Sequence, residues 1–116
     1  MSSRRSSPLP SVIAPHGRLD ALAASELEQE LDEAVSAGYL CLILSLRDAT
    51  YVCSSCLRVL FLCLRRLRAL GGDLVLCSLP PRIEFILRIS GFDQVFTVVD
   101  TQEAAECFFR DRIERD

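Results

Sequence analysis

The chain has no lysine and no tryptophan, a single histidine, and no apolar run longer than six residues. Each of these excludes something. The longest apolar runs, residues 39–44 and 59–64, fall far short of the roughly 20 residues that a helix needs to span a bilayer, so no membrane span is expected. With His16 alone, a histidine-based metal site is not expected, and His16 reads as a solvated residue of a Pro15-His16-Gly17 turn. The thirteen basic residues, all arginine, and sixteen acidic ones leave a formal charge of −3, which argues against a general nucleic-acid binder. No phosphate-binding glycine loop of either common pattern occurs, and no carboxylate pair stands out for acid–base work. Residues 1–10 carry arginine and serine without a following apolar stretch, so no secretory leader is expected, and serine at position 2 excludes N-myristoylation. A cytoplasmic location is the resulting expectation, and there the six cysteines would remain reduced thiols.

What is present describes a globular domain. Half of the 116 residues are hydrophobic and a quarter are charged, enough for one domain with one core. The charges are unevenly placed. Glu26, Glu28, Glu30, Asp32 and Glu33 crowd one segment, while Arg47, Arg58, Arg65, Arg66 and Arg68 crowd another, opposed there only by Asp48. Arginine suits planar contacts to carboxylate or phosphate better than lysine does.

Taken in order, residues 1–11 read as a Ser-, Arg- and Pro-rich tail, 12–110 as the domain, and 111–116 as a charged tail. Val12-Ile13-Ala14 predicts a short strand ending at the turn. Asp20 or Ser25 would cap a helix carrying Leu22, Leu27, Leu31, Ala34 and Val35 at helical spacing, stopped by Gly38. Residues 39–45 are continuous and apolar, as a strand covered on both faces should be. A connector, 46–51, leads to a helix over 54–70 whose core stripe is Leu57, Leu60, Phe61, Leu64 and Leu67. Val59 and Leu62 fall on its opposite side among Arg58, Arg65 and Arg66, which makes them candidate partner contacts. Gly71-Gly72 stops this helix, and residues 73–78 predict another buried strand. Pro80-Pro81 opens a third helix lined by Ile83, Ile86, Leu87 and Ser90, and Gly91-Phe92 closes it. Residues 95–99 predict a last strand, and Thr101 caps a final helix through Ala104, Ala105, Phe108 and Phe109. About four strands alternating with four helices give an α/β fold with a partly parallel sheet.

Two serines and two cysteines sit where strand gives way to helix, in Cys53-Ser54-Ser55-Cys56. At a helix N-terminus the first backbone N–H groups lack partners and the macrodipole favours negative charge. A hydroxyl there can cap the helix or carry a phosphate. The cysteines match the spacing of a redox dithiol or of half a zinc site, although no second such pair occurs. No base is visible that would make either serine a nucleophile, so neither an enzyme nor a cofactor is expected.

Four stretches, in this order, resemble the STAS domain of the bacterial anti-sigma factor antagonist family. They are Gly17-Arg18-Leu19-Asp20; Tyr51-Val52-Cys53-Ser54-Ser55-Cys56-Leu57-Arg58-Val59-Leu60; Leu70-Gly71-Gly72-Asp73-Leu74; and Ile89-Ser90-Gly91-Phe92-Asp93-Gln94-Val95-Phe96. The resemblance implies a mixed sheet with helices packed largely on one face. It also implies a partner, an ATP-binding anti-sigma factor serine kinase, which the unmodified protein binds and which phosphorylates a serine at the start of the second helix; a serine phosphatase resets the switch. Ser54 matches that phosphoacceptor, with Ser55 as second choice, and Asp20 matches an acidic residue near it. Asp20, Ser54, Ser55, Arg58, Val59 and Leu62 make up the expected partner-binding surface. The chain departs from the family pattern at Cys53, Cys56 and Ser45. Two other readings stand beside the switch: a STAS scaffold that is never phosphorylated, in a signalling complex or as a transporter accessory, and a thiol redox sensor through Cys53 and Cys56.

Overall fold

The computed structural model describes residues 9–115; residues 1–8 of the expected N-terminal tail and Asp116 of the expected C-terminal one lie outside the described residues. Two continuous apolar segments form the centre of the fold. They are the strands β3 (Cys41–Ser45) and β5 (Asp73–Cys77), paired in parallel from Cys41↔Asp73 to Ser45↔Cys77. Between β1 (Ser11–Ile13) on one edge and β6 (Thr97–Val99) on the other, they complete a four-stranded sheet in the order β1-β3-β5-β6. Every ladder among the described residues is parallel.

Because side chains alternate along a strand, the two central strands bury both of their faces. Leu42, Leu44, Leu74 and Leu76 point to one side, against α1 (Ala21–Ser36), α2 (Ser54–Ala69) and α3 (Pro81–Ser90). Ile43, Val75 and Cys77 point to the other, where Ala105 and Phe109 of α4 (Gln102–Arg115) cover them. Three helices on one face and one on the other give the arrangement expected from the sequence.

The stripe on α2 is buried at Leu57, Leu60, Leu64 and Leu67, with Cys56 and Cys63 completing it, whereas Phe61 is half-buried and meets the Phe92 ring at a tilt. On α1 the core positions are Ala24, Leu27, Leu31 and Val35. Leu22, expected among them, is 71% exposed, because the helix begins at Ala21 behind an Asp20 cap and turns position 22 outward. On α3, Ile83 and Leu87 are buried, Ile86 is half-buried and Ser90 is exposed.

The two glycines after α2 serve different ends. Gly71 takes the left-handed conformation (φ +89°) that breaks the helix, and at Gly72 a side chain would collide with the backbone of Leu40. Asp73 then fastens the start of β5. Its buried carboxylate accepts the Leu74 N–H at 2.8 Å, Arg68 Nε of α2 at 3.2 Å and an Arg112 guanidinium nitrogen of α4 at 3.0 Å. A buried carboxylate is tolerated only with such partners, and here they bind helices from both faces to one strand.

Two elements were not expected from the sequence. β2 (Gly17–Leu19) occupies part of what reads as a turn, and β4 (Ala49–Val52) occupies the expected connector; the two pair in parallel as a separate two-stranded ladder. At the other end, residues 92–94 wind into a 3-10 turn, so β6 starts at Thr97 rather than at 95.

Candidate functional site

The small β2–β4 ladder brings together two helix N-termini. In a parallel ladder both strands end at the same side, and here Leu19 lies opposite Val52. One residue after each strand a helix begins, α1 behind Asp20 and α2 behind Cys53. The turns are bonded to each other. The Cys53 N–H donates to the Leu19 carbonyl at 3.0 Å, and the Cys56 thiol donates to the same carbonyl at 3.4 Å and reaches the Asp20 carbonyl at 3.9 Å. Two positive helix ends therefore open side by side.

These ends are finished differently. Asp20 is extended, and its Oδ1 accepts the Ala23 N–H at 3.0 Å, the usual cap. At α2 the cap residue is Cys53, not a serine, and its side chain makes no capping hydrogen bond. Ser54 and Ser55 are the first two helical residues, both exposed, and the first backbone bond of the helix runs from the Leu57 N–H to the Cys53 carbonyl. Among the described residues nothing hydrogen-bonds the Ser54 side chain. The N–H groups of Ser54, Ser55 and Cys56 precede that first bond and have no intrahelical backbone partner.

The thiols on either side of the serines are pushed in opposite directions. The slight burial of Cys53 raises its pKa, but the backbone N–H groups of Cys56 and Ser55, followed by the Cys56 and Ser55 side chains, favour the thiolate and bring it below its ordinary value. Cys56 is pushed up to about 12, first by burial and then by the neighbouring Cys53 and Asp20.

The other candidate residues continue along α2. Arg58 is exposed one turn beyond Ser54; Val59 is half-buried, and Leu62 is 47% exposed. Val59 and Leu62 face Glu28 and Asp32 of α1 across a shallow groove of about 100 Å³, floored by Leu31 and Cys63. Asp20, Ser54, Ser55 and Arg58 thus cluster at the helix ends, while Val59 and Leu62 extend the surface down the α1–α2 seam.

Sequence reasoning passed over Arg18. Its guanidinium lies 4.2 Å above the Tyr51 ring on the exposed face of the β2–β4 ladder, beside the cluster. The alternation of Arg18 outward and Leu19 inward was the available signal, readable only once β2 is known to be a strand. Among the described residues no group of three or more His, Cys, Asp or Glu is placed to hold a metal ion, and no helix is long and apolar enough to cross a membrane.

Comparison with known proteins agrees with this geometry. A protein of Bordetella bronchiseptica named as an anti-sigma factor antagonist, BtrV, is 36% identical over 99 residues, 85% of each chain. Among solved structures, the anti-sigma factor antagonist SpoIIAA in its unphosphorylated form superposes with a TM-score of 0.76 at 21% identity, covering 95% of this chain and 92% of that one. The Bacillus cell fate determinant SpoIIAA in the phosphorylated form superposes at 0.69 with 22% identity, covering 92% and 93%. At such identities these two likenesses speak for the fold alone. Residues 3–105 match the STAS domain family, and the chain belongs to that family.

Proposed function

We propose that this protein is an anti-sigma factor antagonist that binds an anti-sigma factor serine kinase, and that phosphorylation of Ser54 turns this binding off. The observation that carries the proposal is the exposed Ser54 hydroxyl, free of any capping duty, at the open N-terminus of α2. The name of the 36% identical relative supports the role. The match to SpoIIAA structures in unphosphorylated and phosphorylated forms supports a fold that accommodates the group.

The physics is local. A phosphate on Ser54 adds about −1.5 to −2 charges and three acceptor oxygens. The first-turn N–H groups, which lack intrahelical partners, and the helix dipole favour it, and Arg58 lies one turn away. The protein therefore stays folded. A partner seated over Asp20, Ser54, Ser55, Arg58, Val59 and Leu62 would have to bury the same group, at a large desolvation cost. Binding is lost while the fold is kept, and a serine phosphatase restores it. The protein acts in the cytoplasm as the substrate of a kinase, not as an enzyme.

The test is an intact mass after incubation with ATP and the candidate kinase. One added phosphate that maps to Ser54 and disappears in Ser54→Ala is the expected result. A stable complex without added mass would replace this reading with that of a non-phosphorylated scaffold.

A further inference from the structure

Cys53 and Cys56 hold the N-cap and third helical positions of α2, the spacing at which a capping side chain turns back over the first turn. At that spacing both side chains lie over the same first turn of the helix. Cys53 is half-buried and keeps part of its surface in solvent, and Cys56 is fully buried, donating to the Leu19 carbonyl. Phosphorylation of Ser54 uses neither thiol, and the chemistry of the pair is independent of it.

We infer that this pair is a modification site: a peroxide-class oxidant converts Cys53 and Cys56 into a reversible intramolecular disulfide whose ring encloses Ser54 and Ser55. The Cys53 thiolate attacks one peroxide oxygen; the O–O bond breaks, leaving a sulfenic acid on Cys53 and releasing hydroxide, which takes up a proton to become water. The Cys56 sulfur then attacks Cys53 Sγ, the S–O bond breaks, and the hydroxyl leaves with the Cys56 proton as a second water. The two thiols together lose two electrons, and the peroxide gains them.

The roles follow from the environments. The outward thiol is the one that the helix N-terminus makes acidic, as an attacking thiol needs, and the inward thiol stays protonated until its turn. Burial raises the thiols of Cys41, Cys63 and Cys77, which makes them poor competitors. Cys107 is exposed, but it lies on α4, across the sheet from this site. Disulfide formation removes the Cys56 donor from the Leu19 carbonyl, which keeps the Cys53 N–H, so the β2–β4 ladder retains its last bond.

The experiment treats the reduced full-length protein with stoichiometric hydrogen peroxide, blocks free thiols with a maleimide and maps the peptides. The segment 48–58, bounded by Arg47 and Arg58, should lose about 2 Da, carry no maleimide and recover both thiols on reduction. Cys53→Ser, which puts a good capping residue at that position, should abolish the loss and slow peroxide consumption at least about tenfold. Cys56→Ala should stop the reaction at a sulfenic acid on Cys53 that dimedone traps. Two maleimides on segment 48–58 after peroxide, or oxidation confined to Cys107 or to a covalent dimer, would overturn the inference.

Discussion

Helices α1 and α2 invite comparison: each has sixteen residues, each leaves a strand of the same parallel ladder, and each begins one residue after it. Yet α1 is closed by the Asp20 carboxylate on the Ala23 N–H, while α2 begins behind a cysteine whose side chain makes no capping hydrogen bond, with two serines exposed after it. A completed cap stabilises a helix and occupies the group that would otherwise receive a ligand. The difference indicates that α1 is built for stability and that α2 keeps its N-terminus open.

Substitutions can break or sharpen this contrast. The largest expected effect is on binding. Ser54→Asp places a charge at the open end and should weaken the kinase complex at least tenfold, about 1.4 kcal/mol, by calorimetric titration, while the melting temperature hardly moves. Next comes the closed end. Asp20→Ala removes the cap and should cost about 0.5–2 kcal/mol in a denaturant titration, lowering the melting temperature by roughly 4 °C per kcal/mol. Cys53→Ser gives α2 the cap it lacks and should raise stability by about 0.5–1 kcal/mol. A fall in stability would mean that the Cys53 thiol already has a structural role.

The smallest effect concerns protons. Alkylation of Cys53 should titrate below the ordinary thiol value of 9.0, while Cys56 stays protected. Burial keeps Cys56 protonated to about 12 in the native state, against 9.0 in the unfolded chain. Above 9.0 the unfolded state therefore binds fewer protons, and stability should decline as pH rises from there towards 12. An unchanged melting temperature across that range would contradict this.

The parts of the fold with long-range periodicity were legible in the sequence. The continuous apolar runs at β3 and β5 and the stripe from Leu57 to Leu67 announced a covered sheet and a packed helix. Strands β2 and β4 were not legible, because three or four residues cannot display an alternation and their pairing joins segments some thirty residues apart. The same blindness hid Arg18. The cap of α2 was left open for a related reason: Ser54 and Ser55 are good cap residues by type, and only the length of β4 and the bond from the Cys53 N–H to Leu19 put Cys53 at the cap position. Residue type suggested a cap, and the backbone register left the serines free.

The central claim is that the open end of α2 accepts a phosphate that breaks partner binding and spares the fold. The direct measurement titrates reduced protein, phosphorylated and unphosphorylated at Ser54, against the same kinase, and takes the melting temperature of both forms. The account predicts at least about a tenfold loss of affinity with melting temperatures within a few degrees of each other. Equal affinities would contradict it, as would a phosphorylated form that has lost its cooperative melting transition.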